Sequence, residues 1–290
     1  MSDCAWPPLT NPLPLASDIV HVVRLDMKAE PQRIEALRSV LSPDELVRAD
    51  RYKFEEPRSR FIVCRVALRQ LLGACLGREA GSLAFEYGLH GKPGLIWSGA
   101  VSEAKAPLTL TLSPQSRGEG TGEKPLFPED GGEGTGGRPQ DQTLLDFSVS
   151  HSADLALIAI TVGRRVGVDV ERHDAKVRIL KLAARFFSPR EAAQLASLPE
   201  CDQLAGFYRG WTCKEAYLKA TGLGLSFPLS KFTVALNPHE PASLLDVVDQ
   251  PDEAARWRMQ SLDVATGFSA ALLVEAASHE VVHVRRWSLP

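Results

Sequence analysis

The chain has 290 residues, 44% hydrophobic and 24% charged, an ordinary globular composition with room for one large domain or two of moderate size. Its formal net charge of −3 argues against a dedicated nucleic-acid binder and leaves only a local basic patch open. Cys4, Cys64, Cys75, Cys201 and Cys213 are odd in number and lack zinc-finger spacing, so they read as reduced thiols; with no apolar run near the roughly 20 residues that span a bilayer and no signal-like N-terminus, the expectation is a soluble, cytoplasmic protein.

In chain order, "DIVHVVRLDM" (18–27) reads as a strand. "SPDELVRADRYKF" reads as a helix, with Ser42 as N-cap, Pro43 at the first helical position and Glu45 closing a capping box. A longer helix is expected at about 58–76 and a strand near 82–87. The segment 98–146 holds 9 Gly and 5 Pro, with "GEGTGEK" and "GEGTGGR" as near-copies. Such a composition cannot bury enough apolar surface to offset its ordering entropy, so a disordered insertion is expected. Strands follow near 146–150 and 155–162.

"VGVDVE" (166–171) then opens a second series. "KVRILKLAARFF" and "SPREAAQLASL" read as helices, and Ser188, Pro189 and Glu191 repeat the spacing of Ser42, Pro43 and Glu45. A long helix carrying "WTCKEAYLKATG" (211–222) comes next, with Gly222 as a plausible C-terminal stop. Strands near 231–236, 255–262, 268–275 and 281–287 complete the chain. Strand, helices, long helix and strands thus occur twice. The expected fold is α+β, built of two similar subdomains, 1–165 and 166–290, in a pseudo-twofold arrangement.

The candidate chemistry begins in "VGVDVE". Alternation puts Val166, Val168 and Val170 on one face and Gly167, Asp169 and Glu171 on the other, the two acidic residues roughly 7 Å apart at Cα. Gly167 leaves open space beside them. The competing reading is an ordinary solvated strand face. In the long helix Glu215 and Lys219 share a face, and Tyr208 and Trp211 nearby suggest a half-buried cleft. Glu215 supplies a possible third carboxylate, and three carboxylates without His or Cys favour a hard cation, Mg²⁺ or Mn²⁺. Lys214 and Lys219 are then available for a phosphate-rich ligand. "FSVSHS" sets Ser150 and His151 at a strand end, as a turn or as an anion contact. Arg58, Arg65 and Arg69 share a helical face that is either solvated or phosphate-binding. "HGKPG" (90–94) presents Lys92 on a turn, and the absence of GxxxxGK[ST] argues against a P-loop.

Taken in order, Gly91–Lys92–Pro93, Ser150–His151–Ser152, Gly167–Val168–Asp169–Val170–Glu171, and Trp211 with Lys214–Glu215–Ala216 and Lys219 resemble the 4′-phosphopantetheinyl transferases, specifically the surfactin-synthetase-type, pseudo-dimeric branch. "RFFSPREAAQL" and "TGLGLSFPLSKFTV" resemble the flanking segments. The resemblance implies a Mg²⁺-dependent transferase of the holo-[acyl-carrier-protein] synthase type. It would move the phosphopantetheine arm of coenzyme A to a serine of an apo acyl or peptidyl carrier protein. It also implies an N-terminal half binding coenzyme A and a C-terminal half holding metal and catalysis. Asp169, Glu171 and Glu215 would bind Mg²⁺. Glu215 would help deprotonate the carrier serine, and Lys219 would neutralise charge on the pyrophosphate as 3′,5′-ADP leaves. Ser150 and His151 would hold the 3′-phosphate, with Arg48, Arg51 and Lys92 near the adenosine end.

Two departures stand out. The connection from Lys92 to His151 is much longer than the family's usual one, and Glu45 replaces a lysine of some relatives, which leaves Glu45 outside the expected site. A pseudo-dimer has little need of a second chain, so a monomer without membrane or nucleic-acid partners is expected. Two other classes compete: a relative that binds coenzyme A or a carrier without transfer, and a metal-dependent phosphodiesterase or nuclease, the latter disfavoured by the lack of a broad basic surface.

Overall fold

The computed structural model describes residues 6–9, 13–87, 93–96, 145–224, 226–277 and 281–288. Lys92 and the expected insertion, except for its last two residues, lie outside them. The first series is β1 (Ile19–Asp26), α1 (Pro31–Leu37), α2 (Pro43–Asp50), α3 (Glu55–Leu76), β2 (Ala84–Tyr87), β3 (Pro93–Ile96), β4 (Leu145–Ser152) and β5 (Leu155–Val162). The second is β6 (Val166–Arg172), α4 (Ile179–Phe186), α5 (Pro189–Ser197), α6 (Glu200–Thr221), β7 (Phe232–Val234), β8 (Leu244–Val247), β9 (Trp257–Ser261) and β10 (Phe268–Glu275), with β11 (Val281–Trp287) added at the end.

The doubling extends to pairing. One sheet runs β11-β1-β5-β4 and another β6-β10-β9. β1–β5 and β6–β10 are antiparallel, as are β4–β5 and β9–β10, while β11 joins β1 in parallel. Thus β1-β5-β4 corresponds to β6-β10-β9, and the hairpins β2–β3 and β7–β8 hold equivalent places. The α+β reading with two similar subdomains holds.

Three apolar clusters explain the layering. Val23, Leu25, Ile158 and Ile160 of one sheet pack against Ile62, Val66 and Leu71 of α3. Ala271 and Leu273 of the other pack among Phe207, Trp211 and Tyr217 of α6. Between the sheets lie Val20, Val22, Leu157, Val166, Val168, Val170 and Leu272. Each sheet therefore buries both faces, and the stack runs helix, sheet, sheet, helix.

The two capping boxes form, and each carboxylate also reaches the long helix that follows. Glu45 accepts from the Ser42 backbone N–H at 3.0 Å, pairs with Arg69 at 2.7 Å and also pairs with Arg65. Glu191 accepts from Ser188 N–H and Val234 N–H, each at 2.8 Å, and pairs with Lys214 at 2.8 Å. α3 and α6 are both 22 residues long and both stop at a left-handed glycine, Gly77 and Gly222, the conformation glycine adopts without steric cost.

α1, β3 and β8 were not expected. α1 has seven residues and no side-chain cap, β3 and β8 have four residues each, and β8 meets β7 across a register shift. Elements this short carry too little periodicity to read. The helix expected at 58–76 starts earlier, at Glu55, where Glu55 and Glu56 favour the positive helix end.

Candidate active site

β6 presents Gly167, Asp169 and Glu171 to α6 because its valines are taken up by the inter-sheet core. Gly167 lets the helix lie directly on the strand: a Cβ there would stand 2.0 Å from the Ala216 carbonyl oxygen and 2.7 Å from the Ala220 nitrogen. The space expected beside the carboxylates is filled by helix backbone. Asp169 and Glu171 are accordingly 0% and 1% exposed, which overturns the solvated-face alternative.

α6 brings Glu215 and Lys219, also buried. Lys219 Nζ donates to Asp169 Oδ1 at 2.8 Å and to the Val168 carbonyl at 3.0 Å. Glu215 lies one turn N-terminal to it. Buried carboxylates in this density persist only when cations or hydrogen bonds offset their lost hydration. Among the described residues no three His, Cys, Asp or Glu side chains are gathered closely enough to hold a metal as the chain stands. The donor chemistry nonetheless fits a hard divalent cation: Asp169, Glu171 and Glu215 offer only oxygen, and an ammonium already occupies one of those oxygens.

β4 flanks β6 in the same direction and meets it through side chains. The N–H groups of Val166, Val168, Val170 and Arg172 donate to Asp146 Oδ2, Ser148 Oγ, Ser150 Oγ and Ser152 Oγ at 2.9–3.2 Å. Ser150 Oγ then donates to Asp169 Oδ1 at 2.7 Å, and Ser152 Oγ to Glu171 Oε2 at 2.8 Å. A hydroxyl has one proton, so Ser150's is committed to Asp169. In this geometry the hydroxyl has a carboxylate partner where an outside anion was expected.

His151 points away from that row and is exposed. Its crowded surroundings, then the charges of Lys219, Arg60 and Arg48, push its pKa down to about 4. The charges that bear on His151 are all cationic, Lys219, Arg60 and Arg48, a surrounding suited to an anion. The β4–β5 turn beside it is tight: Ala153 has φ 51°, and Asp154 is held by Arg60 at 2.7 Å and Lys28 at 3.3 Å. Arg60 belongs to the same arginine-rich run as Arg58, Arg65 and Arg69 but lies off their shared face, and it is tied to the β4–β5 turn beside His151 through Asp154.

Arg48, on α2, lies over the Phe61 ring at 5.2 Å and takes part in the cationic group around His151. Arg51 is exposed just past the end of α2. Lys214 requires a correction. It is fully buried, bonded to Glu191 and to the carbonyls of Leu229 at 2.8 Å and Phe232 at 2.5 Å, and lies over the Phe232 ring. Its four-carbon stem points into the second core, so it is a core ion pair and not a ligand contact. The phosphate-binding alternative for the Arg65 and Arg69 face fails likewise, since both are buried against Glu45. Trp211 packs with Phe186, Phe187 and Phe207, as a core residue.

No described helix is long and apolar enough to cross a membrane. Residues 165–273 match the model of the 4′-phosphopantetheinyl transferase superfamily. The chain is 38% identical to the 4′-phosphopantetheinyl transferase HetI of Nostoc sp. over 239 residues, 82% of this chain and 83% of that protein. It is 37% identical to psf-1 of Bacillus pumilus over 47% of this chain and 56% of that protein, and 31% identical to Sfp of Bacillus subtilis over 43% and 53%.

Proposed function

The chain belongs to the 4′-phosphopantetheinyl transferase superfamily, and from that premise we propose how it moves the phosphopantetheine arm of coenzyme A onto a serine of an apo acyl or peptidyl carrier protein. The observation that carries the reading is the burial of Asp169, Glu171, Glu215 and Lys219 where β6 crosses α6. Simple binding would not require three carboxylates and an ammonium there, which weighs against a relative that binds without transfer.

The carrier serine oxygen attacks the phosphorus bearing the pantetheine arm. The bridging P–O bond breaks, and 3′,5′-ADP departs with the electron pair. Glu215 takes the serine proton, directly or through a water. Asp169, Glu171 and Glu215 would hold Mg²⁺, or Mn²⁺ in its place. When bound, the ion polarises the pyrophosphate oxygens and spreads the charge that builds on the leaving group. Lys219 adds a second positive charge, kept at the cluster by its bond to Asp169. His151, Arg48 and Arg60 receive the 3′-phosphate at the end of β4, and Arg51 and Lys92 extend this basic rim toward the adenosine. In this reading 1–165 contributes most coenzyme A contacts and 166–290 the metal and the base, as in a holo-[acyl-carrier-protein] synthase type of reaction. The enzyme works as a monomer in the cytoplasm.

The test is direct. The protein is incubated with coenzyme A, Mg²⁺ and an apo carrier, and the carrier is weighed by mass spectrometry. A gain equal to one phosphopantetheine group, abolished by chelation or by Glu215→Ala, is expected. A carrier mass unchanged across several carriers would overturn the reading.

A further inference from the structure

The row of side chains between β4 and β6 follows a rule of spacing. Each serine of β4 accepts the N–H of the residue twenty positions later, and its own proton goes to the side chain nineteen positions later. Ser150 takes Val170 N–H and serves Asp169; Ser152 takes Arg172 N–H and serves Glu171. Ser148 takes Val168 N–H in the same manner, but its counterpart is Gly167, which has no side chain to receive the proton. All three serines are 2–3% exposed. The alternation of β4 places them on one face, opposite Phe147 and Val149, which join the α3 core.

We propose that Ser150 and Ser152 are positioning residues that fix the carboxylates of Asp169 and Glu171 for the metal. The proposal deepens the metal-dependent reading above and rests on it. Each hydroxyl is held from behind by a backbone N–H, so its proton has one direction open, and that direction is the carboxylate. A carboxylate oxygen held in this way leaves its other oxygen oriented, and the row aims two consecutive carboxylates of one strand without using a second residue type. Partners that orient metal ligands commonly change metal affinity about 10–100-fold when removed. Ser148 performs the same structural service to the strand and none to a carboxylate, so it is an internal control.

The experiment uses the full chain and Mn²⁺ as the probe, with binding followed by the EPR signal of free Mn²⁺ in the presence of coenzyme A and without carrier. Ser150→Ala and Ser152→Ala should each weaken Mn²⁺ binding about tenfold. Ser152→Thr, which keeps the hydroxyl, should bind within about twofold of the parent protein, a change that would mark no lost ligand interaction. Ser148→Ala should lower the thermal midpoint as the other two alanine variants do, yet leave Mn²⁺ affinity unchanged. Equal affinity losses in all three alanine variants, or none in Ser150→Ala and Ser152→Ala while the parent binds, would overturn the positioning role alone. A parent protein that binds no Mn²⁺ would overturn the metal reading and the proposal with it.

Discussion

The two halves have the same plan and put it to different uses. Counted from their first residues, α3 and α6 place Arg69 and Lys214 at the same helical position, and in each half that cation pairs with the capping-box carboxylate, Glu45 or Glu191. One residue further, Gln70 stands where the second half has Glu215. Ala74 stands where it has Lys219. On the strands, β1 sends Val23 and Leu25 into the α3 core, whereas β6 sends Asp169 and Glu171 toward α6. The first half shows what this packing does when it only has to be stable. The second accepts buried charge at the equivalent layer and compensates it with Lys219, Ser150 and Ser152. A site can therefore be recognised as the place where one copy of a repeated plan breaks the apolar pattern that its sister keeps.

The sharpest way to break the comparison is to give the second half the first half's chemistry. Asp169→Val, Glu171→Leu, Glu215→Gln and Lys219→Met together should reduce transfer to background. The fold should survive, since replacing a whole buried ionic group by apolar residues is often neutral or stabilising by about 1–4 kcal/mol. Urea unfolding and the carrier mass assay check both parts. A large loss of stability would mean that the ionic group is structural and the comparison misplaced.

Next in size is the shared ion pair. Glu191→Ala strands the Lys214 ammonium in the core and should cost about 3–5 kcal/mol. Burial already lowers the Lys214 pKa, against the opposing pull of Glu191. Glu45→Ala should cost a similar amount by stranding Arg65 and Arg69; their charges and hydrogen bonds hold Glu45 below the usual carboxylate range although burial pushes it up. The paired replacement Glu191→Leu with Lys214→Met should restore most of the stability and leave the KM for coenzyme A unchanged. A raised KM would return Lys214 to the ligand site.

Smaller again is Gly167→Ala. β1 accommodates Val23 against α3, but a Cβ at 167 would meet helix backbone at 2.0 Å. Backbone cannot swing aside as a side chain can, so overpacking of about 1–3 kcal/mol or more is expected, with transfer falling further than stability because α6 carries Glu215 and Lys219. Thermal melts alongside kcat decide this; a variant with normal kcat would show that the helix–strand spacing is not critical.

Much of this was legible in residues with short-range signatures. The capping boxes, the valine face of β6, the strands 155–162, 268–275 and 281–287, and the pair Asp169 and Glu171 all follow from spacing. What spacing could not carry was depth and partnership. Lys214 and Lys219 are five apart on one helix and equally lysine; only the tertiary fold sends one to Glu191 and the other to Asp169. Ser152 was visible in the alternation Ser148, Ser150, Ser152, but the strand on which that face would act lies in the other sheet. Arg60 needed the β4–β5 turn to reach His151.

Two histidines give the mildest test. His21 in β1 and His151 in β4 both have lowered pKa values. For His21 the main cause is burial, opposed by its bond to the Pro14 carbonyl and aided by His283 and Arg285. For His151 it is crowding, aided by Lys219, Arg60 and Arg48, to about 4. Below pH 6.5 an unfolded histidine takes up a proton that the folded one refuses, so each makes the folded state less stable as pH falls below that value, and for His151 the loss runs down to about pH 4. His21→Asn and His151→Asn should each flatten part of that decline. Only His151 should respond to ligand. A phosphate dianion beside it favours the imidazolium, so coenzyme A binding at about pH 7, where the 3′-phosphate enters as the dianion, should draw a proton from the buffer. Calorimetry in buffers of different ionisation enthalpy measures that uptake. It should vanish in His151→Asn and persist in His21→Asn; uptake unchanged by His151→Asn would move the 3′-phosphate away from the end of β4.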